Sequence, residues 1–578
     1  MAKNVEHESE EIEDEISKLN SLLDNNEPPS SYQIPFINEH TGRLDAYLAK
    51  VHARLRKARG EILRYRSILS GIRRLPPEIL SEIFVHCMRP IPTTKHRIGR
   101  FKTYPNPSPR NALHALSQVC RKWRNVALST PALWCNLTIA HENPTAHETY
   151  SQIIQHCSER SRVSPLYITL LVANFTCLEE EEEEKSKIFV GALNTADKLL
   201  RHASRWHYFD FNASWYPYHL ADIPFPVLPA SGLPNLHEAC FSIHTRRRRF
   251  GAALWMLQLL QASPNLRRIQ FNALVPDIEV APWTLLQSFE ATAGVLLKDL
   301  FTILKSCSRL QFCDACLLVE NEEDSPSPSL ESELVLQNLH TLNLSELLEE
   351  ELTTVLRCLT LPALRKLSLS GPSDEPVYEW PHQSFIKLLS RSQCHLESLS
   401  LNNLAFSADQ VINYLCLPNV NDTLEDLEIK QWEWPIPSEV LKHVTFKLPS
   451  TTSITSTSSP SMPIISLPKL HSVSLIVHAV AQAVPLRDFV ASRWYNIARN
   501  DVPLPIPRLK RIQILLAVPF LPNASVSSIE TIERVFRRVS LVARVDLNEF
   551  TIQPSAHELH AYTAIEKLDE DGFFDYTI

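Results

Sequence analysis

Apolar positions in the first part of the chain recur at steps of three and four. Ile12, Ile16, Leu19 and Leu23 make a short run of this kind. After a connector holding Pro28, Pro29 and Pro35, a second run carries Leu44, Leu48, Val51, Leu55, Ala58, Ile62, Tyr65, Leu69 and Ile72 at alternating steps. That spacing keeps side chains on one stripe of a helix and predicts coiled-coil seams within residues 1–74. Charge separates the two runs: residues 1–30 carry nine acidic and two basic side chains, residues 43–74 ten basic and two acidic. Oppositely charged seams favour pairing, either as an antiparallel hairpin of one chain or as a coiled-coil homodimer. A nucleic-acid reading would set Arg54, Arg56, Lys57, Arg59, Arg64 and Arg66 against phosphates. The acidic run just upstream argues instead for a neutralised helix.

The next pattern is LPPEILSEIFVHC at residues 75–87, with Pro76 and Pro77 where a missing N–H leaves no helix bond unmade. Ile79, Ile83 and Phe84 share one face, with Leu80 and Cys87 beside them. A basic, proline-rich insert covers 89–110. Helical spacing resumes in 112–134 with Leu113, Leu116, Val119, Cys120 and Trp123, closing on Leu133-Trp134.

Beyond residue 135 the template is L-x-x-[LIVAF]-x-[LIF]. It reads WHYFDF at Trp206, LHEACF at Leu236, LRRIQF at Leu266, LHTLNL at Leu339, LRKLSL at Leu364, LESLSL at Leu396, LEDLEI at Leu424, LHSVSL at Leu470 and LKRIQI at Leu509. LQFCDA at Leu310 fills the longest gap. Helix-like runs such as 254–263 and 385–392 lie between them, so each unit predicts one strand and a helical return. With a strand period of two, the polar residues between the apolar positions face outward. The candidate binding face holds Arg268, Gln270, Asn343, Lys366, Ser368, Ser400, Asn402, Asp426, Glu428, Lys430 and Arg511. Three segments read as inserted disordered loops: an acidic one near 179–186, another near 320–333, and a Ser/Thr-rich one near 449–466.

Two family resemblances follow from these residues. The order LPxEIL..IF, then VC+.W, then LW over 75–134 resembles the F-box, a three-helix module that docks substrate receptors onto the Skp-type adaptor of cullin-RING ubiquitin ligases. The resemblance implies adaptor-binding and core roles for Leu75, Pro76, Ile79, Leu80, Ile83, Phe84, Val119 and Trp123. The insert at 89–110 departs from the family's short turn. The later template is the signature of leucine-rich repeats, and the whole layout resembles large F-box-like families of mushroom-forming fungi. The implied fold is an α/β solenoid: a leucine-rich-repeat array over 136–578, preceded by an F-box-like domain at 75–135 and a coiled-coil segment at 1–74. The implied function is that of a non-catalytic substrate receptor of an SCF-type ligase, with adaptor and cullin as partners and a protein substrate on the repeats. The competing expectation is a coiled-coil and repeat scaffold with no ubiquitin role.

Composition removes other classes. The chain has 578 residues and only 10 glycines against 41 prolines. Their spacing allows no GxGxxG, GxxxxGK[ST] or GxSxG, so the commonest phosphate cradles and nucleophile elbows cannot be written. Net charge −8 gives no global pull toward nucleic acid or an acidic membrane, and no 18-residue apolar run occurs. The expected location is cytoplasmic and/or nuclear, as the twelve spread cysteines fit reduced thiols. Cys313-x-x-Cys316 with Cys307 upstream is the one metal-like spacing. Without a second knuckle it reads as core thiol, so no metal, cofactor or catalytic residue is expected.

Overall fold

The computed structural model describes residues 33–88, 109–141, 147–172, 182–213, 225–243, 251–272, 283–318, 333–372, 379–430, 438–445, 467–478, 511–517 and 549–554, with Ser31, Pro485, Phe489 and Ser492 standing singly. The chain divides into two compact units, Met1–Arg89 with Leu116–Ala127, and Pro90–Ala115 with Leu128–Ile578.

In the first unit, helix α1 (Gln33–Ile68) takes up most of the second heptad run. Pro35 sits inside its first turn rather than in a connector, because the first helical N–H groups need no intrahelical partner. The helix stops before Ile72, which falls in the 3-10 turn Gly71–Arg74. Leu48, Leu55, Ile62, Tyr65 and Leu69 of the expected seam are exposed. The acidic run of residues 1–30 lies outside the described residues. Helix α2 (Pro77–Met88) begins on the expected proline, and of α3 (Pro109–Val119) and α4 (Arg121–Ser129) this unit holds Leu116–Ala127. Most of the 89–110 insert lies outside the described residues.

The second unit alternates strands and helices. Its elements are β1 (Asn136–His141), α5 (His147–Ser161), β2 (Leu166–Val172), α6 (Glu182–Leu200), β3 (Trp206–Ala213) and β4 (Glu238–Ile243), then α7 (Gly251–Gln261), β5 (Arg268–Phe271), β6 (Ser288–Val295), α8 (Leu297–Ser306) and β7 (Phe312–Leu317). After β8 (Leu334–Val335) come β9 (Thr341–Ser345), α9 (Glu349–Cys358), β10 (Leu359–Thr360), β11 (Lys366–Ser370), α10 (His382–Ser392) and β12 (Ser398–Asn402). The last are α11 (Ala408–Leu415), α12 (Pro418–Asn421), β13 (Asp426–Lys430), α13 (Ser438–Val444), β14 (Ser472–His478), β15 (Arg511–Ala517) and β16 (Glu549–Pro554). Among the described residues, fourteen strands form one parallel sheet whose order follows the chain, while β8 and β10 pair separately. Each crossover returns the chain to the same edge, so each strand is laid beside the last.

The ten templates named above all become strands of this sheet. Alternate burial runs along them, for example through Thr341–Ser345, where Leu342 and Leu344 are buried and Thr341, Asn343 and Ser345 half-buried. Polar punctuation before the strands ties neighbouring units together. The side-chain amides of Asn235, Asn265 and Asn338 donate to the carbonyls of Ser204, Pro234 and Ser308 at 2.6, 2.8 and 2.8 Å. A turn carbonyl that would otherwise be left to water is bonded each time.

Two departures are informative. The acidic run near 179–186 is not a loop throughout: from Glu182 onward it is the first part of α6, with Ser186 buried. Carboxylates are favourable there because the first turn carries the positive end of the helix dipole. Strands β1, β2, β6 and β16 also lie outside the ten templates. β6 reads Leu286, Phe289 and Ala291, with alanine where the template asks for a larger side chain, and all three are buried. The other two loop segments, 320–332 and 449–466, lie outside the described residues.

Candidate functional site

The first candidate surface is built on α2 and the part of α3 and α4 within the first unit. Leu80 and Phe84, one turn apart on α2, are fully buried, as is Ala127. The Phe84 ring meets Trp123 of α4 with centroids 4.9 Å apart and planes tilted by 57°. Lys122 Nζ donates to the Leu75 carbonyl at 2.7 Å, which ties α4 to the chain entering α2. The Leu80 N–H donates to the Pro76 carbonyl at 3.1 Å and so starts the helix across the double proline. Arg124 Nε reaches back to the Ser117 carbonyl at 3.0 Å.

This packing sorts the eight residues of the F-box resemblance. Leu80 and Phe84 are inside the module and offer no surface to a partner. Trp123, Leu75 and Ile83 are half-buried. Pro76 is exposed, Ile79 is 48% exposed and Val119 59%. A large aliphatic side chain left about half in water keeps apolar area whose burial by a partner would be favourable at about 25 cal/mol per Å². In the second unit, the Leu133-Trp134 end of the same motif has Leu133 buried and the Arg160 guanidinium 4.3 Å above the Trp134 ring.

The second candidate surface is the polar face of the parallel sheet. Register carries one row of side chains through Thr169, Asp210, Cys240, Gln270, Glu290, Asp314, Asn343, Ser368, Ser400, Glu428 and Ser474. The flanking rows hold Arg268, Lys366 and Asp426 on one side and Asn402 and Lys430 on the other, and Arg511 opens β15 in register with Ser472. The named face residues thus share one side of one sheet. Sequence reasoning left out Tyr208, Asp210, Glu238, Glu290 and Asp314 from that face. The same period of two in WHYFDF, LHEACF and LQFCDA would have found all but Glu290.

Those carboxylates differ from the ones further along. Burial pushes Asp210 up to about 6, with hydrogen bonds from Cys240 and Tyr208 pulling the other way, and its Oδ1 is buried without a hydrogen-bond partner. Glu290 and Asp314 stand opposite each other on β6 and β7. Both are held above the usual carboxylate range by burial, and for Glu290 the Asp314 charge adds to it. Asn343 Nδ2 donates to Asp314 Oδ2 at 3.2 Å and eases this only partly. Around them Asn272 links three strands, donating to Ser242 Oγ at 2.8 Å and accepting from Gln270 at 3.0 Å and Thr292 at 2.7 Å.

Cys307 and Cys313 behave as core, while Cys316 is half-buried. Cys313 is completely buried and its thiol is raised by desolvation, and burial pushes Cys307 up to about 12. A thiolate, the metal-binding form, is disfavoured at both. Among the described residues no group of three or more His, Cys, Asp or Glu side chains is placed to hold a metal ion, and no helix is long and apolar enough to cross a membrane.

The family model described as F-box-like matches residues 72–140. No curated protein matches the chain.

Proposed function

We propose that the chain is a non-catalytic substrate-recognition subunit of an SCF-type cullin-RING ubiquitin ligase, working in the cytoplasm and/or nucleus. The observation that carries this reading is the F-box-like match at 72–140 on a module that leaves Pro76, Ile79 and Val119 in water around a sealed Leu80–Phe84 core. Those three residues, with the half-buried Leu75, Ile83 and Trp123, are the surface for a Skp-type adaptor, which would join the chain to a cullin. The strand-and-helix units are read as a leucine-rich-repeat solenoid, and their polar face as the place where a protein substrate sits. Such a receptor speeds ubiquitin transfer by raising the effective concentration of the substrate near a loaded conjugating enzyme, so its own side chains need do no bond chemistry.

The test is co-purification of the full chain with a Skp-type adaptor, beside the variant Leu75→Ala/Pro76→Ala/Ile79→Ala. The expected result is a complex with the wild type and none with the variant, with circular dichroism unchanged. A folded wild type that fails to bind would overturn the proposal and leave the scaffold reading.

A further inference from the structure

One stripe of α1 keeps a strict seven-residue repeat in water. Leu48, Leu55, Ile62 and Leu69, the last just past the helix end, stand seven apart and are between 47 and 77% exposed. Leu44, Val51, Ala58 and Tyr65 alternate with them, the first two half-buried and the others exposed. From His52 to Leu69 every residue but Gly60 is exposed. A helix in a protein is stabilised mainly by packing of its apolar stripe, and heptads of this length close as knobs into holes on a second helix. The edges of the stripe decide which helix that is. One edge carries Tyr47, Arg54, Glu61 and Ile68, the other Asp45, His52, Arg59 and Arg66. A parallel second copy would set Arg54 against Arg59 twice. An acidic helix of another protein would answer the arginines but bring its carboxylates to Asp45 and Glu61.

We propose that two copies of this chain pair through α1 as an antiparallel coiled coil over residues 44–69, with the two-fold axis between Arg56 and Lys57. In that register Leu44 of one copy meets Leu69 of the other, Leu48 meets Tyr65, Val51 meets Ile62 and Leu55 meets Ala58, each pairing occurring twice. The edges then complement one another. Arg54 meets Glu61, Asp45 meets Arg66, and the apolar edge residue Ile68 falls beside Tyr47. Arg59 is left facing His52 rather than a second arginine. Sliding one helix by a heptad destroys the match, opposing Arg54 to Arg54 in one direction and both Glu61 to Glu61 and Arg59 to Arg59 in the other. The mixed signs along the seam are therefore self-complementary in one orientation and one register. The pairing is independent of whether the module binds an adaptor.

Analytical ultracentrifugation of the full chain at low ionic strength tests this, with circular dichroism to show that each variant is folded. The wild type should sediment as a dimer at micromolar concentration. Arg54→Glu or Glu61→Arg alone sets like charges together twice and should raise the dissociation constant about tenfold, and the two changes in one chain should restore it. Ile62→Asp, at an exposed position of the seam, should leave a folded monomer. A wild-type monomer would give the seam to another occupant. A dimer that Arg54→Glu tightens would be parallel, since the new carboxylate would then face Arg59, and a dimer indifferent to Ile62→Asp would be joined elsewhere. Each of these three results overturns the proposal.

Discussion

The two halves of the parallel sheet solve the same packing problem with different side chains. From β3 to β6 the large buried side chains are mostly aromatic, Trp206, Phe209, Phe211, Phe241, Phe271 and Phe289 beside small residues such as Ala239 and Ala291, with Trp255 of α7 edge-on to Phe209 and Phe211 at 6.0 and 5.7 Å. From β9 to β13 they are aliphatic, Leu342, Leu344, Leu367, Leu369, Leu399, Leu401, Leu427 and Ile429. The outer faces differ too. Glu290 and Asp314 oppose one another in the first half, whereas in the second Lys430 Nζ lies 2.8 Å from Glu428 Oε1. The leucine half is regular and internally neutralised. The aromatic half is irregular, with register shifts at Leu166/Tyr167 and Ala291/Val295; it pairs Glu238 with Arg268 at 3.4 Å, yet Asp210 and Glu290 stay raised by burial. Regularity in the array therefore goes with uniform side-chain volume.

The largest expected effect breaks this comparison at its core. Trp206→Ala should destabilise by about 3–5 kcal/mol, since an aromatic cavity cannot collapse among rigid rings, and Leu399→Ala should lie toward the low end of about 2–5 kcal/mol. Chemical denaturation followed by circular dichroism measures both. A Leu399→Ala loss equal to or larger than that of Trp206→Ala would show that ring packing is not what distinguishes the halves.

A smaller effect concerns Asp210. Its pKa in the fold, about 6, exceeds the ordinary value of 3.8, so the folded state binds the proton more tightly than the unfolded chain. Stability must then fall as pH rises from about 4 to 6, and the full penalty is present above 6. Asp210→Asn should stabilise the protein at pH 7, on the order of 1–2 kcal/mol for this half-buried group, and change nothing at pH 4. Equal effects at the two pH values would refute the assignment.

These halves were not equally legible in the sequence. The leucine half reads directly from L-x-x-L-x-L, because one residue type at three positions leaves a repeated trace. In the aromatic half the core positions accept Trp, Phe or Ala according to what the neighbouring strand supplies, so β6, with Ala291 opposite Ala315, leaves no such trace. β16 was the reverse case: Leu547, Phe550 and Ile552 fit the template and lie among tracts that do not. The helical module was legible as a motif, but its sorting into interior and surface was not. Ile79 and Leu80 are adjacent and both apolar, and only the packing of α4 decides that one is buried and the other left in water. The acidic run at Glu182 misled because a row of carboxylates suits a solvated loop and a helix N-terminus alike.

Gln270 on β5 lies in register beside Glu290, as a cation would have to do in order to neutralise it. Gln270→Lys should therefore stabilise by up to about 1 kcal/mol at low ionic strength, the range of cross-strand opposite charges, and Lys430→Gln should cost a similar amount. Both effects should shrink as salt is raised, because partly exposed charges are screened. Denaturation midpoints of the two variants at low and high salt give the comparison. If Gln270→Lys leaves the midpoint unmoved while Lys430→Gln lowers it, a cation beside Glu290 adds nothing to what Arg268 already supplies. If both move in opposite directions and converge in salt, the difference between the halves is one of charge pairing on the outer face, separable from the difference in their cores.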